Sequence, residues 1–303
     1  MNTYIFMPDT NNKAGLGHLF RCLKYSNFIK KQNKIIFLIK KNLQKKTFIK
    51  QNVNKIKIKY IYFNNLKKTL SLIKNKHKNI ITFLDSYNYN LQNYNFRNFS
   101  KKHINILDFK MPFTSDYAID HTYKRNFKYH KNNNIHIGVN FFPIFSRLSI
   151  LKKTIILISF GSVKDKTLIK KSLLFLKKLK LKKKLTIVVI SKNFTEKDLT
   201  KIKLENKIIL YKFVNNIENL YQKVLFSFGA CGISLYEKCF YTIPCISKCL
   251  AKNQYFNFKN FNSNSCILDF DRVTKLNIND KKKRKNFFNK IFKIKKNIRK
   301  NFN

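Results

Sequence analysis

Two short stretches concentrate the residue types that could do chemistry. In GLGHLFRC (15–22), Gly15 and Gly17 stand immediately before His18, with Arg21 and Cys22 three and four residues further on. A histidine in the first turn of a helix sits in the partial positive charge of the amino end, which disfavours the imidazolium; a neutral ring can take a proton from water. In GACGISLYEKC (229–239), Gly229 and Gly232 lie between an apolar run and a helical pattern, and Gly161 closes the similar run TIILISFG (154–161). Glycine permits positive φ and lets backbone N–H groups approach a phosphate. Asp85 ends an apolar run in LDSYNY, two residues before Tyr87. An acid there either faces a ligand or caps a helix. The remaining histidines, His77, His103, His121, His130 and His136, lie in no comparable turn and read as packed or solvated. No GxSxG, HExxH or GxxxxGK[ST] occurs, nor a GxGxxG followed by a ribose-binding acid. These absences argue against a serine hydrolase, a zinc protease, a P-loop NTPase and a dinucleotide enzyme.

Strand-to-helix turns of this kind need parallel strands behind them, and the chain supplies these in two series. Apolar, β-branched runs at 3–7, 34–40, 58–63, 80–85 and 105–109 alternate with helical patterns such as LFRCLKYSNFIKK. The rhythm restarts with runs at 154–161, 185–191, 207–213, 225–229 and 244–248, interleaved with KTLIKKSLLFLKKL, NNIENLYQKV and ISLYEKCFY. Alternation of strand and helix predicts two tandem, doubly wound α/β domains, 1–145 and 146–303, joined near 143–153. The last stretch, KNFFNKIFKIKKNIRKNFN (285–303), has the spacing of an amphipathic basic helix.

The chain has 303 residues and a formal charge of +50, with 64 Lys or Arg against 14 Asp or Glu. Only seven of the 64 are arginine, the residue that forked phosphate and base readout favours. Lysine is inflated together with Asn, Ile, Phe and Tyr, while Gly and Ala are scarce, which is the residue usage of an adenine- and thymine-rich genome. No specific nucleic-acid partner is therefore expected. The amino end MNTYIFMPDTNNKAGLGH lacks the apolar stretch of a signal peptide, and no apolar run reaches the ~20 residues of a membrane span. Six cysteines without a CxxC pair suggest neither a zinc site nor a disulfide framework. A cytoplasmic protein is expected.

The motifs GLGHLFRC, LDSYNY, ISFGSVKD, GACGISLYEKC, IPCIS and LAKNQ resemble, in order and over about residues 4 to 262, the PseG family of UDP-sugar hydrolases in pseudaminic acid biosynthesis. The SFG and glycine turns are shared with the wider GT-B superfamily, including MurG-like glycosyltransferases. The resemblance implies a GT-B fold, two Rossmann-like domains with parallel sheets facing a cleft. It implies metal-independent, cofactor-free hydrolysis of UDP-2,4-diacetamido-2,4,6-trideoxy-β-L-altrose to free sugar and UDP. His18 would be the catalytic residue, with Tyr87 and Asn253 beside the sugar. Gly232, Ile233 and Ser234 would bind the diphosphate, Glu237 would accept the ribose hydroxyls, and Gln254 would help close the sugar site. Gly17, Arg21 and Gly161 complete the expected substrate-binding set. A glycosyltransferase using a UDP-sugar donor is the alternative. The chain departs from the family pattern at Ser162, where a second glycine is usual, and at Phe145, where a basic residue is usual; Arg147 comes two residues late.

Overall fold

The structure, a computed structural model, describes residues 1–10, 17–29, 32–41, 58–92, 94–108, 114–125, 134–143, 151–161, 166–179, 181, 184–200, 202, 204–214, 216–264, 266–273 and 289. Gly15, Phe145, Arg147, Ser162 and the terminal basic stretch, Asn289 apart, lie outside the described residues. The chain divides into two compact units, Met1–Phe145 and Ser146–Asn303.

In the first unit seven strands form one all-parallel sheet: β1 (Thr3–Pro8), β2 (Lys34–Lys40), β3 (Lys59–Phe63), β4 (Ile80–Asp85), β5 (Lys102–Leu107), β6 (Tyr117–Asp120) and β7 (Ile135–Ile137), in the order β3-β2-β1-β4-β5-β6-β7. Among the described residues the α-helices are α1 (Gly17–Ile29), α2 (Leu66–Lys76) and the single turn α3 (Tyr89–Gln92). Side chains alternate across a strand, so β1 and β2 feed two cores. Phe6 and Phe37 pack with Phe83 and with Leu19, Cys22 and Leu23 of α1, and the Phe6 ring stacks on Phe37 and Phe83 at 5.3 and 4.8 Å between centroids. Ile5, Ile36 and Leu38 turn to the other face and meet Leu70 and Ile73 of α2. A sheet apolar on both faces and covered on both by helices is the doubly wound arrangement, which the continuous apolar runs KIIFLIK and IITFLD anticipate.

The second unit repeats the plan with β8 (Ile155–Ser159), β9 (Thr186–Ile190), β10 (Ile208–Tyr211), β11 (Val224–Ala230), β12 (Cys245–Lys248) and β13 (Leu268–Asp269), all parallel in the order β10-β9-β8-β11-β12-β13. Among the described residues its α-helices are α4 (Lys166–Lys178), α5 (Glu196–Leu199), α6 (Ile217–Tyr221), α7 (Ile233–Phe240) and α8 (Tyr255–Ser263). Ile169, Leu173 and Leu176, at helical spacing on α4, seal one face against Ile156, Ile158, Ile187, Val189 and Phe228. Three short strands, β6, β7 and β13, are additions to the ten that the sequence pattern predicts. With two to four residues each they carry too little periodicity to be read.

In both sheets the strand order reverses beside the first strand of the unit, at β1 and β4 and again at β8 and β11. An open parallel sheet leaves a crevice at the carboxyl ends of such a pair, because the helices that follow the two strands go to opposite faces.

Candidate functional site

The crevice of the first unit lies where β1 and β4 end side by side, with Pro8 opposite Asp85 in the register. Gly17 is the first residue of α1, and His18 follows it, 2% exposed. Its Nδ1 lies 2.5 Å from Oδ1 of Asp85, the last residue of β4, which is fully buried. Arg21, one turn along the same helix, forks onto the same carboxylate, with Nε at 2.6 Å from Oδ2 and Nη2 at 2.5 Å from Oδ1. Its third nitrogen, Nη1, donates to Oδ1 of Asp108, immediately after β5. The other oxygen of Asp108 accepts the hydroxyl of Tyr87, whose ring stands edge-on to His18 at 4.3 Å between centroids. His121, after β6, brings Nε2 to 3.4 Å from Arg21 Nη1.

Electrostatics follow from this packing. Burial alone would raise the Asp85 carboxyl, but Arg21 and His18 against it reverse that and hold it below the usual carboxylate range. Asp108 is likewise raised by burial and then held well down by Arg21 and by His121. Both are therefore ionised acceptors at neutral pH. An ionised carboxylate only accepts, so the proton between Asp85 and His18 belongs to Nδ1, and in a neutral ring the lone pair then lies on Nε2. Among the described residues nothing hydrogen-bonds that Nε2. Burial, followed by Asp108 beside it, pushes the Tyr87 phenol well up. Burial and then Asp85 push the Cys22 thiol up, so Cys22, 3.9 Å from Asp85, packs as a thiol. Burial and then Arg21 push His121 down to about 4, so its 3.7 Å approach to Asp108 is not an ion pair at neutral pH.

Three sequence expectations change here. The helix terminus is not the charge nearest His18, because the Asp85 carboxylate is in direct contact with the ring. Asp85 caps no helix: both oxygens serve His18 and Arg21. Arg21, expected among the substrate contacts, has a side chain with no exposure and all three guanidinium nitrogens on Asp85 and Asp108. The reason is common to all three. A helix and two strand ends converge on one point, and the buried charges neutralise one another there.

Sequence reasoning missed Asp108 and set His121 aside. A signal for both was present: the acid that closes FMPD, FLD and NILD recurs in YAID, just before His121, in a chain with only 14 acids. In the sheet these acids, Asp9, Asp85, Asp108 and Asp120, stand at or just past the carboxyl ends of the neighbouring strands β1, β4, β5 and β6. Arg125 meets Asp120 at 2.6 Å through Nε and the Asp108 carbonyl at 2.6 Å through Nη2.

The second unit offers a different surface at the equivalent place. Gly161 follows β8 with φ +84°, a left-handed conformation that only glycine takes without strain, and it is exposed. Gly232 precedes α7 and supplies no side-chain cap, so the N–H groups of Ile233 and Ser234 begin the helix beside an uncapped end. Gln254, in the short turn Lys252–Gln254, accepts the Leu250 N–H through Oε1 at 3.0 Å. That bond aims its Nε2 donor at Gly232, 3.6 Å from where a Cβ would lie. Glu237, a turn into α7, receives the Tyr221 hydroxyl at 3.3 Å. Asn253 is half-buried in the same short turn as Gln254. The second unit thus gathers Gly232, Ile233, Ser234, Glu237 and Gln254, and the first gathers His18, Arg21 and Tyr87.

Among the described residues no group of three or more His, Cys, Asp or Glu side chains is placed to hold a metal ion; the charge of Asp85 and Asp108 is met by Arg21. No described helix is long and apolar enough to cross a membrane.

No protein-family model matches the sequence, and no curated protein does. Solved structures do match in fold. MurG of Acinetobacter baumannii superposes with a TM-score of 0.66 at 12% identity, covering 98% of this chain and 95% of that one. UGT2 of Phytolacca americana, complexed with UDP-2-fluoro-glucose and pterostilbene, gives 0.69 at 10% identity over 99% and 95%. LpCGTa in complex with UDP gives 0.65 at 9% identity over 99% and 95%. At such identities the likeness is one of fold, and the fold is GT-B: two α/β domains, each built on a parallel sheet.

Proposed function

We propose that this protein is a UDP-sugar-dependent enzyme that breaks the anomeric C–O bond of its donor, with His18 as general base. The observation that carries the reading is the 2.5 Å contact between His18 Nδ1 and an Asp85 held ionised by Arg21; with the proton held at Nδ1, a neutral ring has its lone pair on Nε2. In the reaction an acceptor hydroxyl gives its proton to Nε2 while its oxygen bonds to the anomeric carbon. The bond from that carbon to the diphosphate oxygen breaks, and UDP departs. The amino end of α7, with the Gln254 amide beside it, can stabilise the departing diphosphate through N–H donors and helix charge. Tyr87 and Asn253 supply polar contacts for the sugar, and Glu237 a carboxylate for the ribose hydroxyls. General-base catalysis of this type contributes about 10²–10⁴ in rate.

The likeness in fold to glycosyltransferases, two of them solved with UDP or a UDP-sugar, favours a sugar, lipid or small-molecule hydroxyl as acceptor. Water is the second reading, which makes the protein a hydrolase of UDP-2,4-diacetamido-2,4,6-trideoxy-β-L-altrose; it is favoured by GLGHLFRC and LAKNQ. Both use the same base. Incubating the purified protein with this donor and with UDP-N-acetylglucosamine, with and without candidate acceptors, separates them. UDP release that depends on the acceptor supports transfer, and release of equimolar free sugar without acceptor supports hydrolysis. A His18→Ala variant with near-normal turnover would defeat both.

A further inference from the structure

A guanidinium buried between two carboxylates can merely neutralise them, or it can fix what each one touches. The geometry here is that of a closed ring. His18 Nδ1 donates to Asp85; Arg21 Nε and Nη2 grip both oxygens of Asp85; Arg21 Nη1 reaches Asp108; Asp108 takes the Tyr87 hydroxyl; and the Tyr87 ring returns to the edge of His18. The members come from α1, from the ends of β4 and β5, and from the loop after β4, so no single element could hold the arrangement. An aspartate held through one oxygen can turn about its last bond and offer His18 either oxygen or none. A carboxylate gripped by a planar fork cannot.

We propose that Arg21 and Asp108 are positioning residues: together they lock the Asp85 carboxylate plane, and through it the Nδ1–H tautomer of His18, while the same Asp108 pins Tyr87 against the imidazole. The orientation of the base and of the aromatic side chain expected beside the sugar is then one mechanical unit. This rests on the reading of His18 as the base. Asp108 and Arg21 touch no reacting atom; their effect passes through Asp85 and Tyr87.

The test uses Arg21→Lys, which keeps the charge but cannot fork, and Asp108→Asn, which keeps the shape but presents an N–H group where an oxygen accepted. Three readouts are needed: the ¹⁵N resonances of the His18 ring, the kcat and KM for UDP release from UDP-2,4-diacetamido-2,4,6-trideoxy-β-L-altrose, and the affinity for UDP alone. Expected in both variants is a ring that populates two tautomers and a kcat lower by about 10- to 100-fold, as misplacement of a catalytic group by about an ångström produces. KM should stay within threefold, with UDP affinity unchanged because its cradle lies in the second unit. A folded variant that keeps a single Nδ1–H tautomer and a kcat within twofold overturns the proposal. Should neither variant fold, the wild-type spectrum decides: one Nδ1–H tautomer supports the lock, and an Nε2–H or averaged ring sinks it. If the wild type turns over no nucleotide sugar, the functional reading has failed, yet the tautomer comparison still judges the positioning role.

Discussion

Asp85→Asn removes one charge from the centre of the first unit without changing its shape. Asp85 is fully buried and accepts from His18 Nδ1 at 2.5 Å and from Arg21 at 2.5 and 2.6 Å. An amide has one accepting oxygen. With that oxygen toward Arg21, its NH₂ group faces Nδ1, which must then become the acceptor, and the ring proton moves to Nε2. The proposed base is thus blocked by its own proton. The expected loss is the whole general-base contribution, about 10²–10⁴ in kcat, equivalent to about 3–5 kcal/mol of barrier at 1.36 kcal/mol per decade. Stability falls as well, because removing one partner of a buried ion pair leaves the other uncompensated, at about 3–5 kcal/mol. Asp108 still faces Arg21, so the lower figure is the better expectation. For a unit of this size that lowers Tm by roughly 6–12 °C. UDP release measured well below the variant's Tm gives the rate, and differential scanning calorimetry gives the stability. A folded Asp85→Asn protein with kcat within threefold of the wild type would refute the assignment of Asp85 as the group that sets the tautomer of His18.

Acid should destabilise the first unit in two stages. Burial lowers His103 and His121 from 6.5 to about 4, so below pH 6.5 the unfolded chain binds protons that the folded one refuses. Each histidine's contribution is complete above pH 6.5 and disappears between there and about pH 4, about 3 kcal/mol apiece. Asp85 and Asp108, whose folded values are depressed, add stability above about pH 4 that is lost as pH falls further. Urea unfolding at pH 7, 6 and 5 should show a falling midpoint, with His103→Gln flattening part of it; a midpoint constant over that range contradicts the linkage. Gly229→Ala should destabilise the second unit by about 1–3 kcal/mol, since its Cβ would lie 2.6 Å from the Ser159 carbonyl oxygen and press on the Lys238 ammonium. Chemical unfolding of the variant within 0.3 kcal/mol of the wild type would show that the strand pair can open there. Gly161→Ala should cost about 1–2 kcal/mol through its positive φ, because among the described residues nothing lies within 4 Å of where the methyl group would be. An unchanged unfolding midpoint would mean the loop relaxes into another conformation.

By itself the sequence determined the class of fold and marked candidate places for chemistry. Both follow from local physics: apolar runs such as KIIFLIK and TIILISF are too continuous for a half-exposed strand, helical spacing in KTLIKKSLLFLKKL marks a one-sided helix, and scarce glycines mark the turns between them. His18, Gly161 and Gly232 could be named because their signal lies within a few neighbouring residues. Only the tertiary structure decided who touches whom. Asp85 is 67 residues from His18, and Asp108 is 87 from Arg21. Which buried charges neutralise one another depends on strand order, since β1, β4 and β5 lie adjacent although long segments separate them in the chain. That is why Arg21 reads from its motif as a substrate contact and in the fold turns inward: its guanidinium meets carboxylates at the ends of β4 and β5, and nothing local to GLGHLFRC announces those partners.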